Sequence, residues 1–273
     1  MADSFKHLHL RLHEPGRVNL ARIDPAQRPF SAGDKEADET RLAELSVRLE
    51  ALQNRFYAAK RDKLLLVLQG MDTSGKDGTI RSVFHALDPL GLRAISYRVP
   101  TALEADHDFL WRHHRDVPAA GEIVIFNRSH YEAVVVEYVT GLISDTERER
   151  RYEHIRAFEQ LLVDTGTRLI KCFLHISEDE QKRRLQRRLD DPARRWKIDE
   201  SDLKARALWS NYQHAYELAL GATATVHAPW YIVPSDSKSH RNLMVMEILL
   251  NALEQVAPAY PPVPPSLVGV RVE

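Results

Sequence analysis

KLLLVLQGMDTSGKDGT, Lys63 to Thr79, is the stretch on which the reading of this chain turns. A short apolar run leads into Gly70, Gly75 and Lys76, in register with G-x-x-x-x-G-K, the Walker A phosphate-loop pattern. A buried strand that turns sharply into a helix aims backbone N–H groups and the helix N-terminus at phosphate oxygens, and Lys76 adds a point charge. Gly70, Ser74, Gly75, Lys76, Asp77 and Gly78 are therefore the expected phosphate contacts. A plain glycine-rich turn would need the strand, the Gly-Lys pair and the following helical pattern to coincide by accident. The pattern departs from the usual motif at Asp77, where a Ser or Thr hydroxyl normally meets magnesium, and Thr79 comes two residues too late to replace it. Asp72, a carboxylate inside an anion-binding loop, is unfavourable there unless a cation is bound as well, so it is the expected magnesium ligand.

Working outward, residues 1 to about 35 carry Pro15, Gly16, Pro25, Pro29 and Gly33 with no clean period and read as an extended arm. From about Lys35 to Lys60, Leu42, Leu45, Leu49, Leu52 and Phe56 fall on one helical face. After the loop, LRAISYRV (Leu92 to Val99) and EIVIFN (Glu122 to Asn127) read as strands separated by a helical stretch, ALEADHDFLWRHHRDV. Three capping-box spacings follow: Ser129 with Glu132, Ser144 with Glu147, and Ser177 with Glu180. They open helices to about Leu142 and Asp164 and a basic helix that continues as a loop to about Lys197. RLIKCFLHI is a further strand; a helix from about Glu200 to Leu220, the strand WYIVP and an amphipathic helix from about Lys238 to Leu253 complete the order. Strands alternating with helices predict an α/β fold with a mainly parallel sheet of about five strands and helices on both faces. The domain expected is one kinase-like unit over 36–257 with a helical lid at about 178–205, followed by a proline-rich tail, 258–273.

The 273 residues suffice to bury a sizeable core, and 38 Lys and Arg against 39 Asp and Glu leave no global basic field that would point to nucleic acid. The single cysteine, Cys172, lies in an apolar run and is expected to be a buried, inert thiol. No run has the length and apolarity of a membrane span or signal peptide, which points to a cytoplasmic protein with no membrane partner.

Parallel α/β sheets place ligands beyond the carboxyl ends of their strands, so the phosphate loop and NRSHYE (Asn127 to Glu132) should meet. The strand end that often supplies a metal-directed carboxylate here has Asn127, either a turn residue or part of the nucleotide side of the site. Metal binding then leans on Asp72, with Glu132 as second ligand or merely a helix cap. Arg128 suits two phosphoryl oxygens at once, unless it pairs with a core carboxylate. Between Lys182 and Lys197 there are eight Lys and Arg against two Asp. Arg184 and Arg188 share one helical face and could point at one anion, although an arginine-rich surface helix is commonly just solvated. Behind a phosphate loop, such a segment has the chain position of a lid that neutralises charge and excludes water. His107, His113 and His114 do not form a zinc pattern, and Phe109 and Trp111 read as core in preference to a base-stacking platform.

Taken together, GMDTSGKDG, HDFLWR, FNRSHYE, the arginine helix with RWK, and APWYIVP resemble the polyphosphate kinase 2 family over roughly residues 35 to 257. The resemblance implies a P-loop kinase fold that transfers a terminal phosphoryl group from inorganic polyphosphate to a nucleotide, with Mg2+, or Mn2+ in its place, as cofactor. It implies Asp72 on the metal, Lys76 on the transferred phosphate, Arg128 on phosphoryl oxygens, and Arg184, Arg188 and Lys197 on the lid side. Many members have Asp at the position of Asn127 and a non-acidic residue at that of Glu132. The Asn-plus-Glu version is similar to the subgroup that acts on both AMP and ADP. GMP and GDP are further acceptors to consider, and a homo-oligomer, dimer or tetramer, is implied. Two other functions fit the loop: an ATP-dependent nucleoside or nucleotide kinase, and a non-enzymatic polyanion- or nucleotide-binding protein.

Overall fold

A computed structural model describes residues 10–198 and 200–272. The first nine residues of the expected arm, Asp199 of the expected lid and Glu273 of the tail lie outside the described residues.

In chain order the elements are β1 (Arg11–Leu12), α1 (Lys35–Ala59), β2 (Lys63–Gln69), α2 (Lys76–Phe84), β3 (Leu92–Ser96), α3 (Ala102–Ala105), α4 (Trp111–Asp116), β4 (Ile123–Asn127), α5 (Glu132–Val139), α6 (Asp145–Asp164), β5 (Thr167–His175), α7 (Glu178–Asp190), α8 (Glu200–Ala207), α9 (Trp209–Thr223), β6 (Trp230–Pro234) and α10 (Lys238–Val256). The sheet order is β1-β6-β5-β2-β4-β3. β2 to β6 run parallel and β1 pairs antiparallel with β6. Central strands read as unbroken apolar runs because helices cover both faces. Leu64 to Leu68 and Ile123 to Phe126 have no exposed surface. On one face α1 and α2 pack against α10, and on the other α5 and α6 pack against α9. Cys172 is buried in β5, where burial pushes its thiol above the ordinary range.

The five parallel strands are those expected from the apolar runs. The sixth, β1, comes from the arm: Arg11 and Leu12 add to the free edge of β6, a pairing without local periodicity to announce it. Two expected helices are interrupted. The stretch before β4 forms the short helices α3 and α4, and the segment after the lid divides at Leu208 into α8 and α9. Of the three caps, Ser144 and Ser177 accept the N–H groups of Glu147 and Glu180 as expected. Ser129 does not cap. α5 begins at Glu132 after Tyr131, and the Ser129 hydroxyl accepts instead from Gln69 and from the Tyr131 N–H. Among the described residues no helix is long and apolar enough to cross a membrane.

Candidate active site

The chain leaves β2 at Gly70 and enters α2 at Lys76, and two glycines make the turn possible. A Cβ at Gly70, where φ is +146°, would lie 2.7 Å from the Leu174 carbonyl oxygen, and one at Gly75, where φ is +112°, would lie 1.9 Å from the Arg241 guanidinium. Gly75 caps α2 without a side chain, so no protein carboxylate or hydroxyl competes for the N–H groups of the first turn. The Thr73 and Ser74 hydroxyls inside the loop are buried without a partner among the described residues. Buried unpaired donors at the mouth of a helix N-terminus are suited to anion oxygens. Ser74 thus offers a hydroxyl three residues before the place the motif reserves for one. Thr79, as expected, is elsewhere: its hydroxyl bonds to Asn242 on α10.

Lys76 is buried and donates to the carbonyls of Gly70 at 2.6 Å and Met71 at 3.3 Å. Burial, followed by the repulsion of Arg128, lowers its ammonium to about 8 from the ordinary 10.5. Arg128 stands at the end of β4 with φ +63°, a left-handed backbone that a non-glycine residue adopts at a cost of about 1–3 kcal/mol. Its N–H donates to Leu68 of the neighbouring strand. Its guanidinium bridges Asp72 at 2.6 Å and Glu132 at 3.0 Å. Glu132 first, against the cost of burial and with Asp72 adding to it, holds this guanidinium more firmly protonated than usual. The phosphate loop and NRSHYE are therefore brought together as the topology predicts.

Asn127 is no plain turn residue. Its amide donates to Asp77 at 2.6 Å and to the Ser96 hydroxyl at 3.1 Å, joining the ends of β3 and β4 to the first turn of α2. The pair exchanges the usual chemistry of this corner: the carboxylate sits on the helix and the neutral side chain on the strand end. An Asp at 127 would place two carboxylates in contact.

The lid residues separate. Arg188 is partly exposed, donates to the Lys197 carbonyl at 3.1 Å and lies 4.0 Å from the Asp202 carboxylate. Lys197 lies over the ring of Trp196, which is itself 77% exposed. Arg184 corrects the expectation that it shares a face with Arg188 toward an anion. Its side chain is 6% exposed, and its donors are used on Glu180, Thr73, Ser74, Ser235 and Asp236. It holds the phosphate loop from behind and has no N–H left for a phosphate.

Three groups escaped the reading of the sequence. Tyr212 and Tyr216 on α9 face Asp72 and Glu132, and burial, with these carboxylates adding to it, raises both phenols. Lys171, in mid-β5, is fully buried and donates to Glu159 at 2.7 Å, to the Tyr131 hydroxyl at 3.0 Å and to the Thr223 carbonyl at 2.8 Å. Glu159 also accepts from Tyr131 at 2.7 Å and contacts His130 at 3.3 Å. Burial alone would raise the Glu159 carboxyl, but Lys171 and His130 hold it below the ordinary range. The third group, Arg241, lies against Gly75. A lysine inside a run of Leu, Ile and Phe was the signal available for the Lys171 network; Arg241 had none, being one more cation near the start of an amphipathic helix.

In HDFLWRHH, Phe109 packs against the core, while Trp111 stacks on His107 with ring centroids 4.0 Å apart. Neither adjoins the phosphate loop.

The donor set fits a divalent cation. Asp72, Asp77 and Glu132 offset Lys76 and Arg128 in front of the loop and Arg241 behind it, so the loop has no excess positive charge for a polyanion until a cation arrives. Among the described residues no three metal-ligating side chains cluster. Magnesium does not ask for such a cage, since it commonly takes one or two carboxylates together with waters and substrate phosphates.

The family model described as Polyphosphate kinase 2 matches residues 32–260. An AMP/ADP-polyphosphate phosphotransferase from Meiothermus ruber is 49% identical over 251 residues, covering 92% of this chain and 94% of that protein. An ADP-polyphosphate phosphotransferase from Rhodopseudomonas palustris is 37% identical over 273 residues, covering 96% and 94%. The crystal structure of polyphosphate kinase 2 from Arthrobacter aurescens superimposes with a TM-score of 0.89 at 41% identity, covering 92% of this chain and 90% of that one.

Proposed function

The chain belongs to the polyphosphate kinase 2 family, and from that premise we propose how its site serves a polyphosphate-dependent nucleotide kinase and which nucleotides it accepts. Family membership decides for polyphosphate transfer over the ATP-dependent and non-catalytic alternatives. The acceptors are AMP and ADP, in line with the similarity to the Meiothermus ruber protein. The observation that carries the reading of the site is the Asp72–Arg128–Glu132 bridge directly in front of the phosphate loop.

Phosphoryl transfer asks a protein for positioning and charge neutralisation and for little covalent chemistry. Two carboxylates hold the Arg128 fork in place before substrate arrives. Phosphoryl oxygens then take over the guanidinium; Asp72 and Glu132 would hold Mg2+, or Mn2+ in its place, which would supply charge neutralisation. Lys76 exchanges the Gly70 and Met71 carbonyls for an oxygen of the transferred group. The first-turn N–H groups of α2 and the Ser74 hydroxyl bind the remaining oxygens. Arg188 and Lys197 face the incoming chain from the lid. Asn127 and Glu132 shape the nucleotide side. The acceptor phosphate is largely ionised near neutral pH, its second pKa being about 6, so no strong general base is needed. Transfer is direct, with no covalent enzyme intermediate.

The test is product formation from AMP, ADP, GMP and GDP with magnesium, using polyphosphate in one series and ATP in another. ADP and ATP should form in the polyphosphate series; product with ATP alone as donor overturns the reading. A homo-oligomer, dimer or tetramer, and a cytoplasmic location belong to the same proposal, and light scattering and cell fractionation check them.

A further inference from the structure

Arg241 sits one turn into α10 and is 2% exposed. One guanidinium nitrogen donates to the Ser74 carbonyl at 3.1 Å, and the other two donate to the Asn242 side-chain oxygen at 3.2 and 2.8 Å. No carboxylate bonds to it among the described residues. Its charged neighbour is Arg184, which donates to the same Ser74 carbonyl at 3.0 Å but is paired with Glu180. Burial first, and then Arg184, push the Arg241 guanidinium down to about 9. A buried cation without a counter-charge is costly to keep, and this one is pressed against the loop at Gly75 and Gly78.

We propose that Arg241 is a positioning residue for the phosphates in the loop, acting through one layer of backbone, with the bound phosphate as its missing counter-charge. It draws the Ser74 carbonyl rearward, so that the N–H groups following it point forward. Its charge, unneutralised from behind, adds to the attraction of the α2 N-terminus in a setting where water does not screen it. The lack of a side chain at Gly75 is part of the same arrangement, because any Cβ would displace the guanidinium. The inference rests on the loop being the phosphate site and extends to any phosphate chain bound there, whether polyphosphate or the tail of ADP.

The experiment compares wild type with Arg241→Met, which keeps bulk and removes charge, and with Arg241→Lys, which keeps charge and loses the fork. Thermal unfolding is followed without ligand and with tripolyphosphate or ADP, each with magnesium, and binding is measured by calorimetry. Arg241→Met should unfold no earlier than wild type without ligand, bind either phosphate chain about tenfold or more weakly, and lose most of the ligand-induced shift, since the attraction of a unit charge across one layer of backbone at an effective dielectric of about 20 is of that order. Arg241→Lys should keep most of the affinity and lose turnover, because an ammonium cannot hold both the Ser74 carbonyl and the Asn242 oxygen as the fork does. A structural role alone predicts the opposite for Met: earlier unfolding without ligand and normal affinity in the folded fraction, a result that overturns the proposal. Should the Met variant not fold, Arg241→Gln against Arg241→Lys carries the same comparison of charge. A wild type that binds ADP but does not use polyphosphate refutes the donor assignment and leaves the Arg241 comparison intact on ADP.

Discussion

Replacing Lys171 with Met separates support of the site from support of the fold. The amine sits in the middle of the sheet with three partners, and its loss strands the Glu159 carboxylate where no water reaches it. Removing one member of a buried ion pair costs about 3–5 kcal/mol. At about 2–4 °C per kcal/mol for a chain approaching this size, the melting temperature should fall by roughly 6–20 °C, read by circular dichroism. Lys171→Met/Glu159→Leu leaves no stranded charge, and such apolar replacements are often neutral or stabilising, so most of that loss should return. Activity should not. Tyr131 loses the Lys171 donor in both variants, and in the double variant Tyr131 and His130 also lose Glu159 as their shared acceptor; both residues lie between Arg128 and Glu132, so the bridge that orients the Arg128 fork loosens. The expected signature in the polyphosphate assay is a lower kcat with little change in KM for the nucleotide, in both the single and the double variant. Recovery of stability and turnover together in the double variant would refute the reasoning and reduce the network to a core feature.

Lys76→Ala should lose about 2–4 kcal/mol of transition-state stabilisation, seen as a drop of about 30-fold to 10³-fold in turnover by a protein that still folds. Because burial holds Lys76 near 8, the free protein loses this charge as pH rises through that value; kcat/KM for polyphosphate should decline above it, and a profile flat to pH 10 counts against the assignment. The stability effect has the opposite sign: between about 8 and 10.5 the unfolded chain keeps a proton that the folded chain has released, so this group's contribution to stability rises with pH across the window. Arg184→Ala should lower melting temperature and activity together, since it releases the loop carbonyls. Arg188→Ala should weaken polyphosphate use at unchanged melting temperature; melting curves and KM values of the two variants, if indistinguishable, defeat the distinction. Asn127→Asp sets a carboxylate against Asp77, and the two cannot both ionise at hydrogen-bond distance without a cation. Its melting temperature should fall in chelator and return on titration with magnesium, and insensitivity to chelator is the contrary result.

The parallel sheet and the meeting of loop and NRSHYE were legible because apolar runs and strand-end positions are local signals with a fixed topological meaning. The charges were harder. Arg184 and Arg188 share a helical periodicity, yet one turns onto loop carbonyls and the other toward Lys197 and Asp202, and only the packing of α7 against the loop distinguishes them. Ser129 has capping spacing, but a left-handed Arg128 redirects the chain and delays the helix to Glu132. Asn127 acquires its meaning only beside Asp77, 50 residues away in sequence. Arg241 and Lys171 share a reason for being overlooked: their partners come from remote elements, and while the apolar run around Lys171 signals burial, nothing around Arg241 does.

The two edges of the sheet bear on how copies of this protein can associate. β6 would present free backbone donors and acceptors along the end of the sheet, and the pairing of Arg11 and Leu12 with Tyr231 and Trp230 occupies part of that margin. The opposite margin, β3, is short and carries the exposed Arg93, a charge that discourages a second strand from docking. Sheet extension from one copy to the next is thus discouraged at both ends by different means. Contact between copies would fall to the helical faces, and loss of β1 would uncover the edge of β6 to another chain.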